Sequence, residues 1–249
     1  MEIYQFVVEK NEELILPWCI QYWRQNMNKV VVYDNESTDK SIEILSKQPW
    51  IEIQSFKTTG LNDGVNQYIK NNCWKGTDAD WVVVSDTDEV IVGELRAAIE
   101  DAEKEEASIL ELPWFTLYND SLPVFTEEKM LHEVTDKWVR HEGYGKHLIF
   151  SPKRIKEINY CPGAHLESPV PSDAKVFHSE KALILHFNRG FGAEYKADSY
   201  EKSFKNLSID NRVHGWGSHY GWRRDIIINE YKEEQKKAID LKKILKKIE

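Results

Sequence analysis

Up to about residue 112 the chain alternates between two kinds of stretch, and that alternation limits its fold more than any other feature. Apolar, strand-like runs at 3–8, 30–33, 51–56, 81–85 and 108–112 are separated by helix-patterned stretches at 13–26, 38–47, 62–73 and 93–105. Strand, helix, strand in succession is the mark of βαβ units, whose parallel strands form one sheet with helices on its faces. Asn11, Ser37 or Thr38, and Asn62 stand where a helix start needs a side chain to accept free backbone N–H groups. Pro17 has to sit in the first turn of its helix, where a missing N–H does no harm. Beyond residue 112 the chain is richer in aromatics, Pro and Gly, with short strands and long loops up to about residue 187. Helices are expected at 191–206 and 222–248. The expected organisation is an α/β fold in which 1–112 and 113–249 are two halves of one continuous globular domain.

Within the first half, Trp81 to Val92, WVVVSDTDEVIV, changes character abruptly. Val82, Val83 and Val84 read as a strand buried on both faces of a parallel sheet. Asp86, Asp88 and Glu89 follow directly, at the strand end where open α/β sheets hold their ligands. Carboxylates so crowded repel one another unless a cation joins them. A hard divalent ion such as Mg²⁺ or Mn²⁺ takes oxygen ligands and bridges carboxylates to phosphates. The alternative is an ordinary solvated acidic turn. Val30 to Ser41 repeats the strand-to-turn-to-helix pattern, and its Asp34 and Asp39 can accept hydrogen bonds from a ribose or a base. Equally, Asp34 and Ser37 can simply bond the turn and cap the helix.

Net charge narrows the partners. At −9, with 33 Lys and Arg against 42 Asp and Glu, the chain lacks the basic excess of a nucleic-acid surface. Cys19, Cys73 and Cys161 are an odd number without CxxC spacing, which points to reduced thiols and a cytoplasmic protein rather than a disulfide framework or zinc ribbon. No apolar run reaches bilayer length, and the N-terminus lacks the basic flank and apolar core of a signal peptide.

Three ordered motifs together resemble family 2 glycosyltransferases: Lys10-Asn11-Glu12 after the first strand, Asp34-Asn35-Glu36-Ser37-Thr38-Asp39 after the second, and the Asp86-Thr87-Asp88-Glu89 stretch. The resemblance covers roughly residues 1–112. It implies a GT-A-type, Rossmann-like mixed sheet flanked by helices, with a more irregular acceptor-side half and C-terminal helices. It also implies a nucleotide-diphosphate sugar donor and a divalent cation, Mn²⁺ or Mg²⁺, at the DxD motif. Carried over by position, Glu12 and Asp34 fall at the nucleoside, with Asp39 in the same turn. Gly60, Asn62 and Asp63 match a loop near the base, Asp86 faces ribose and metal, and Asp88 binds the metal. The chain departs from many relatives in having one Asp, not two, at Tyr33-Asp34-Asn35.

The second half is similar to the subgroup whose motif continues Asp-X-Asp-Glu, through Gly145-Lys146-His147, Gly163-Ala164-His165 and Leu183 to Asn188. There the resemblance implies His186 as a third metal ligand, against the plain reading of a packed histidine. His165 is the next candidate. The implied chemistry is substitution at an anomeric carbon, in which a bound cation stabilises charge on the departing diphosphate. Lys146 is a candidate to assist; its alternative is a solvated surface lysine. Inversion also needs a group to take the acceptor's proton, and Glu167 and Asp198 are the candidates. Aromatics at 113–119 and 214–222 are candidate sugar walls or ordinary core.

Tyr231 to Glu249 carries seven lysines among Ile239, Leu241, Ile244, Leu245 and Ile248. As one helix it has a basic face and an apolar stripe, suited to packing on the domain or to peripheral membrane contact near a glycan or lipid-linked acceptor. Two other classes remain for the whole chain: a non-catalytic nucleotide- or glycan-binding module of the same fold, and a nucleotidyltransferase. The latter needs a basic Gly-rich loop after the first strand, which Lys10-Asn11-Glu12 lacks.

Overall fold

A computed structural model describes residues 1–141, 146–164 and 167–246. The first half contributes β1 (Ile3–Glu9), α1 (Leu16–Asn26), β2 (Lys29–Asp34), α2 (Ser41–Ser46), β3 (Ile51–Ser55), α3 (Asp63–Asn72), β4 (Trp81–Asp86), β5 (Glu89–Gly93), α4 (Leu95–Lys104) and β6 (Ile109–Glu111). The second half adds β7 (Trp114–Leu117), α5 (Leu131–Val134), β8 (Trp138–His141), β9 (Ile149–Phe150), β10 (Val176–His178) and β11 (Ala182–His186). Helices α6 (Ala193–Lys205), α7 (Ile209–His214), α8 (Arg224–Gln235) and α9 (Lys242–Leu245) follow.

The larger sheet runs β10-β6-β9-β4-β1-β2-β3, with β1 parallel to both β2 and β4, and β9 antiparallel between β4 and β6. Its apolar runs are continuous because both faces are covered. Trp81 and Val83 enter one core cluster while Val82 and Val84 enter the other, and Val30 and Val32 are likewise separated from Val31. The order of the chain reverses between β4 and β1, so their carboxyl ends flank the crevice where α/β sheets bind ligands. A smaller sheet, β5-β11-β7-β8, takes β5 from the first half and the rest from the second. This is the mixed α/β sheet flanked by helices expected from the sequence.

Three local expectations fail for identifiable reasons. Helix α1 starts at Leu16, with Pro17 in its first turn, but Asn11 does not cap it. Asn11 has a φ of 56° and instead accepts a hydrogen bond from the Thr38 N–H at 2.7 Å. Ser37 does not cap α2 either; its hydroxyl accepts from the Asn11 N–H at 2.8 Å. Asn62 does cap α3, accepting from the Val65 N–H at 3.0 Å. The expected 222–248 helix is broken after Gln235, because Ile239 and Trp138 exchange backbone hydrogen bonds of 2.8 and 3.1 Å that draw residues 236–241 away from a helical path. A continuous amphipathic helix for membrane contact is therefore absent from the described residues. None of their helices is long and apolar enough to cross a membrane.

Candidate active site

The end of β4 sets the site. Thr87 turns inward, 3 % exposed, and its hydroxyl donates to the Val8 carbonyl at 3.2 Å. Thr87 and Asp88 form the turn between β4 and β5, with Asp86 ending one strand and Glu89 opening the next. Asp86 keeps 39 % of its side-chain surface, yet both its oxygens meet ammonium groups, Lys70 Nζ at 2.7 Å and Lys146 Nζ at 3.3 Å. Burial pushes its pKa up, but the two lysines outweigh burial and hold the carboxyl well below its ordinary range. Glu89, 1 % exposed, pairs with Lys146 and accepts from the Asp86 N–H at 3.0 Å. Lys146 is thus a buried ion-pair partner, not a solvated surface lysine. Lys70 completes a network that no one stretch of sequence shows, since α3, the acidic turn and the Lys146 segment meet only in the fold.

Asp88 has different company. Its Oδ2 lies 3.3 Å from His186 Nε2 and accepts from the Asn188 N–H at 3.0 Å, while the Phe187 N–H donates to its carbonyl at 2.8 Å. His186 ends β11 opposite Glu89, and its ring meets Trp114 edge-on with centroids 5.3 Å apart. Burial opposes the ionised Asp88 carboxyl, and the adjacent His186 overcomes that to hold its pKa low. Among the described residues no three His, Cys, Asp or Glu side chains converge into a metal-holding group. The Asp88–His186 pair nevertheless fits a cation that draws its other ligands from substrate oxygens, as ions held by one or two carboxylates plus phosphates do. Its mixed oxygen and nitrogen donors suit Mn²⁺.

At the ends of β1 and β2, Glu9 and Asp34 are register partners, each 2 % exposed. Glu9 accepts from the Glu12 N–H and from the Ser37 hydroxyl, both at 3.0 Å. Asp34 accepts from the Ser37 N–H at 3.2 Å. Burial, then the contact with Asp34, pushes Glu9 up to about 7. Glu12 is also raised, by burial and then by the charge of Asp88, with Arg189 opposing. Asp39 bonds the turn: its oxygens accept from the Glu13 N–H at 3.0 Å and the Ser41 N–H at 2.9 Å. Asp63 opens α3 and is clamped by Asn211, which donates to its carboxylate at 2.9 Å. Burial raises its pKa, Asn211 opposes, and the nearby Asp86 adds to the rise.

The acceptor-side residues divide. Glu167, 11 % exposed at its side chain, lies 2.6 Å from His147 Nδ1, and this contact raises the His147 pKa against burial. Asp198 on α6 is 58 % exposed and paired with Arg224 at 2.5 Å. Gly145 and His165 lie outside the described residues. Of the aromatic walls, Trp114 and Phe115 are core, at 2 % and 0 % exposure, so most of segment 113–119 cannot line a sugar site. Tyr220 and Trp222 do line a cleft, together with Phe204, Glu201 and Arg224.

No protein-family model matches the chain. An uncharacterized glycosyltransferase of Rickettsia typhi is 23 % identical over 214 residues, covering 81 % of this chain and 62 % of the relative. Among solved structures, Staphylococcus aureus TarS superimposes with a TM-score of 0.51 at 16 % identity, over 94 % of this chain and 43 % of TarS. The 1–349 portion of TarS in complex with UDP gives 0.50 at 15 % identity, over 93 % and 70 %. The fold is the one TarS has, and the chain spans less than two thirds of the Rickettsia relative and of the longer TarS chain.

Proposed function

We propose that the chain is a glycosyltransferase that moves a sugar from a nucleoside-diphosphate sugar to an acceptor hydroxyl, with inversion, on a glycan or lipid-linked acceptor. The observation that carries this reading is the meeting of Asp88 and His186, from opposite halves of the chain, at 3.3 Å beside the β1/β4 crevice. The fold shared with TarS and the name of the Rickettsia relative support it, and the UDP that TarS binds favours a uridine donor.

In this reading Asp88 and His186 hold Mn²⁺ or Mg²⁺, which when bound supplies Lewis-acid stabilisation of the departing diphosphate. Asp86 presents a fully ionised carboxylate to the ribose. Lys146 and Lys70 position it and keep its charge from repelling the donor. Glu12 faces the nucleoside, whereas Asp34, 2 % exposed and bonded to the Ser37 N–H, acts with Asp39 and Asp63 through the loops they brace. Of the two candidate bases, Glu167 is favoured over Asp198, because its partner at 2.6 Å is the His147 imidazole, which can give up its proton, whereas the Arg224 guanidinium on Asp198 stays charged.

A thermal-shift series with UDP, with and without Mn²⁺, tests the reading. Ligand at a hundredfold its Kd stabilises the native state by about 2.7 kcal/mol, a rise of roughly 5–10 °C for a chain of this size. UDP with Mn²⁺ is expected to raise the wild-type midpoint by that order, and both Asp88→Asn and His186→Ala to lose the Mn²⁺-dependent part. An unchanged Mn²⁺ effect in both variants would remove the metal assignment. Failure of the wild type to release UDP from any UDP-sugar, despite binding UDP, would leave a binding module instead of a transferase.

A further inference from the structure

Two cations beside the Asp88 turn, Arg189 and Lys196, make no ion pair among the described residues, although the charges of Glu12 and Asp88 reach them. Lys196, in the first turn of α6, is only 8 % exposed. Its ammonium faces the rings of Tyr118 and Tyr200, 5.4 and 5.5 Å from their centroids. Arg189 lies over Tyr200 and Tyr220 at 5.8 and 5.4 Å, with one long bond of 3.4 Å to the Ser199 carbonyl. Lys70 and Lys146 are also buried, but Asp86 and Glu89 match them. A buried ammonium without a counter-ion is costly, and aromatic faces compensate for only part of that cost. Burial, and then the charge of Arg189, push the Lys196 pKa down to about 8.

The turn that carries Arg189 is fixed to the metal-fitting pair. Asn188 and Arg189 take left-handed φ values of 44° and 54°, and the Asn188 N–H donates to the Asp88 carboxylate at 3.0 Å. Asp88 is the largest acidic influence on Lys196, ahead of Glu230 and Glu234 on α8, yet none of the three forms an ion pair with it. An anion seated between the Asp88–His186 pair and α6 would supply the missing charge to both cations, through charge-assisted hydrogen bonds.

Resting on the transferase reading, we propose that Arg189 and Lys196 form a metal-independent seat for the terminal phosphate of the nucleoside diphosphate. When the anomeric C–O bond breaks, its electron pair stays on that phosphate's oxygen. The acceptor oxygen forms the new bond and its proton passes to the base, so the charge the two cations take up is that of the leaving group.

Isothermal titration with UDP and UMP in the presence of EDTA tests the seat, since the two ligands differ by the terminal phosphate alone. Wild-type protein is expected to prefer UDP by about tenfold to a hundredfold, the range of one hydrogen bond to a charged group. Lys196→Met and Arg189→Gln are each expected to remove most of that preference while leaving UMP affinity unchanged, and Arg189→Lys to retain part of it. Thermal melts of the variants identify any that fail to fold, and the other then decides. A preference that survives both substitutions overturns the seat alone and assigns the cations elsewhere, for example to an anionic acceptor. A wild type with no preference in EDTA overturns its metal independence. A wild type that binds neither nucleotide, with or without Mn²⁺, overturns the transferase reading as well.

Discussion

Asp86 and Asp88 are two positions apart on one turn and have opposite surroundings. Two lysines neutralise Asp86, whereas Asp88 meets an imidazole and a backbone N–H. Glu9 is a third kind of acid, buried against Asp34 with only N–H and hydroxyl donors to compensate. Its pKa of about 7 lies above the ordinary 4.5, so between those values the native state holds a proton that the unfolded chain has released. The stabilisation this provides is complete below about pH 4.5 and lost as pH rises through 7. Glu9→Gln mimics the protonated form, so its stability is expected to fall less steeply than wild type over that window and to exceed it at higher pH. Urea melts at several pH values check this, and parallel slopes would refute it. Asp86 and Asp88 were legible as a pair because acids crowded after an apolar run make a local pattern. Glu9 and Lys70 were not, because one charge at a strand end or within a helix gains meaning only from what the fold brings beside it.

Elements were most legible where periodicity was strongest, and least where a loop residue had a distant partner. Strands β1 to β4 follow from apolar runs, and the Asn62 cap of α3 from its position. Asn11 and Ser37 looked like caps but tie the β1 and β2 loops together instead, a pairing that no single stretch can show. The turn after β11 is the tightest such junction. Gly190 donates its N–H to the Phe187 carbonyl, and a Cβ there would stand 1.9 Å from the Leu117 oxygen and 2.7 Å from that of Phe187. Both obstacles are backbone, so neither can rotate aside. Gly190→Ala is expected to cost about 1–3 kcal/mol, the usual range for forced overpacking, and to shift the Arg189 turn off Asp88. Chemical denaturation gives the cost, and a ΔΔG near zero would mean that the turn yields without strain.

Across the whole molecule the two halves are interleaved, so the change of pattern at residue 112 marks a change of architecture without marking a seam. The first half ends with β6, whose neighbours β9 and β10 both come from the second half. Strand β5 has β11 as its partner, and the apolar edge of β4 is covered by β9. One core cluster runs from Ile3 and Trp18 through Trp114 and Leu185 to Leu241. A fragment of residues 1–112 would therefore leave β5 and β6 unpaired and present the valines of β4 as an open apolar edge, the kind of edge that aggregates. It is expected to be unfolded or aggregated by circular dichroism and sedimentation. The intact chain is expected to unfold in one transition, because losing either half leaves strands of both sheets unpaired. Far-ultraviolet circular dichroism and tryptophan fluorescence should give the same midpoint, since Trp18, Trp23, Trp81, Trp114 and Trp138 are buried in both halves. Separate midpoints, or a folded 1–112 fragment, would show that the nucleotide-side half is autonomous. The Asp88–His186 pair would then join two independent bodies, and its 3.3 Å geometry would depend on how they dock.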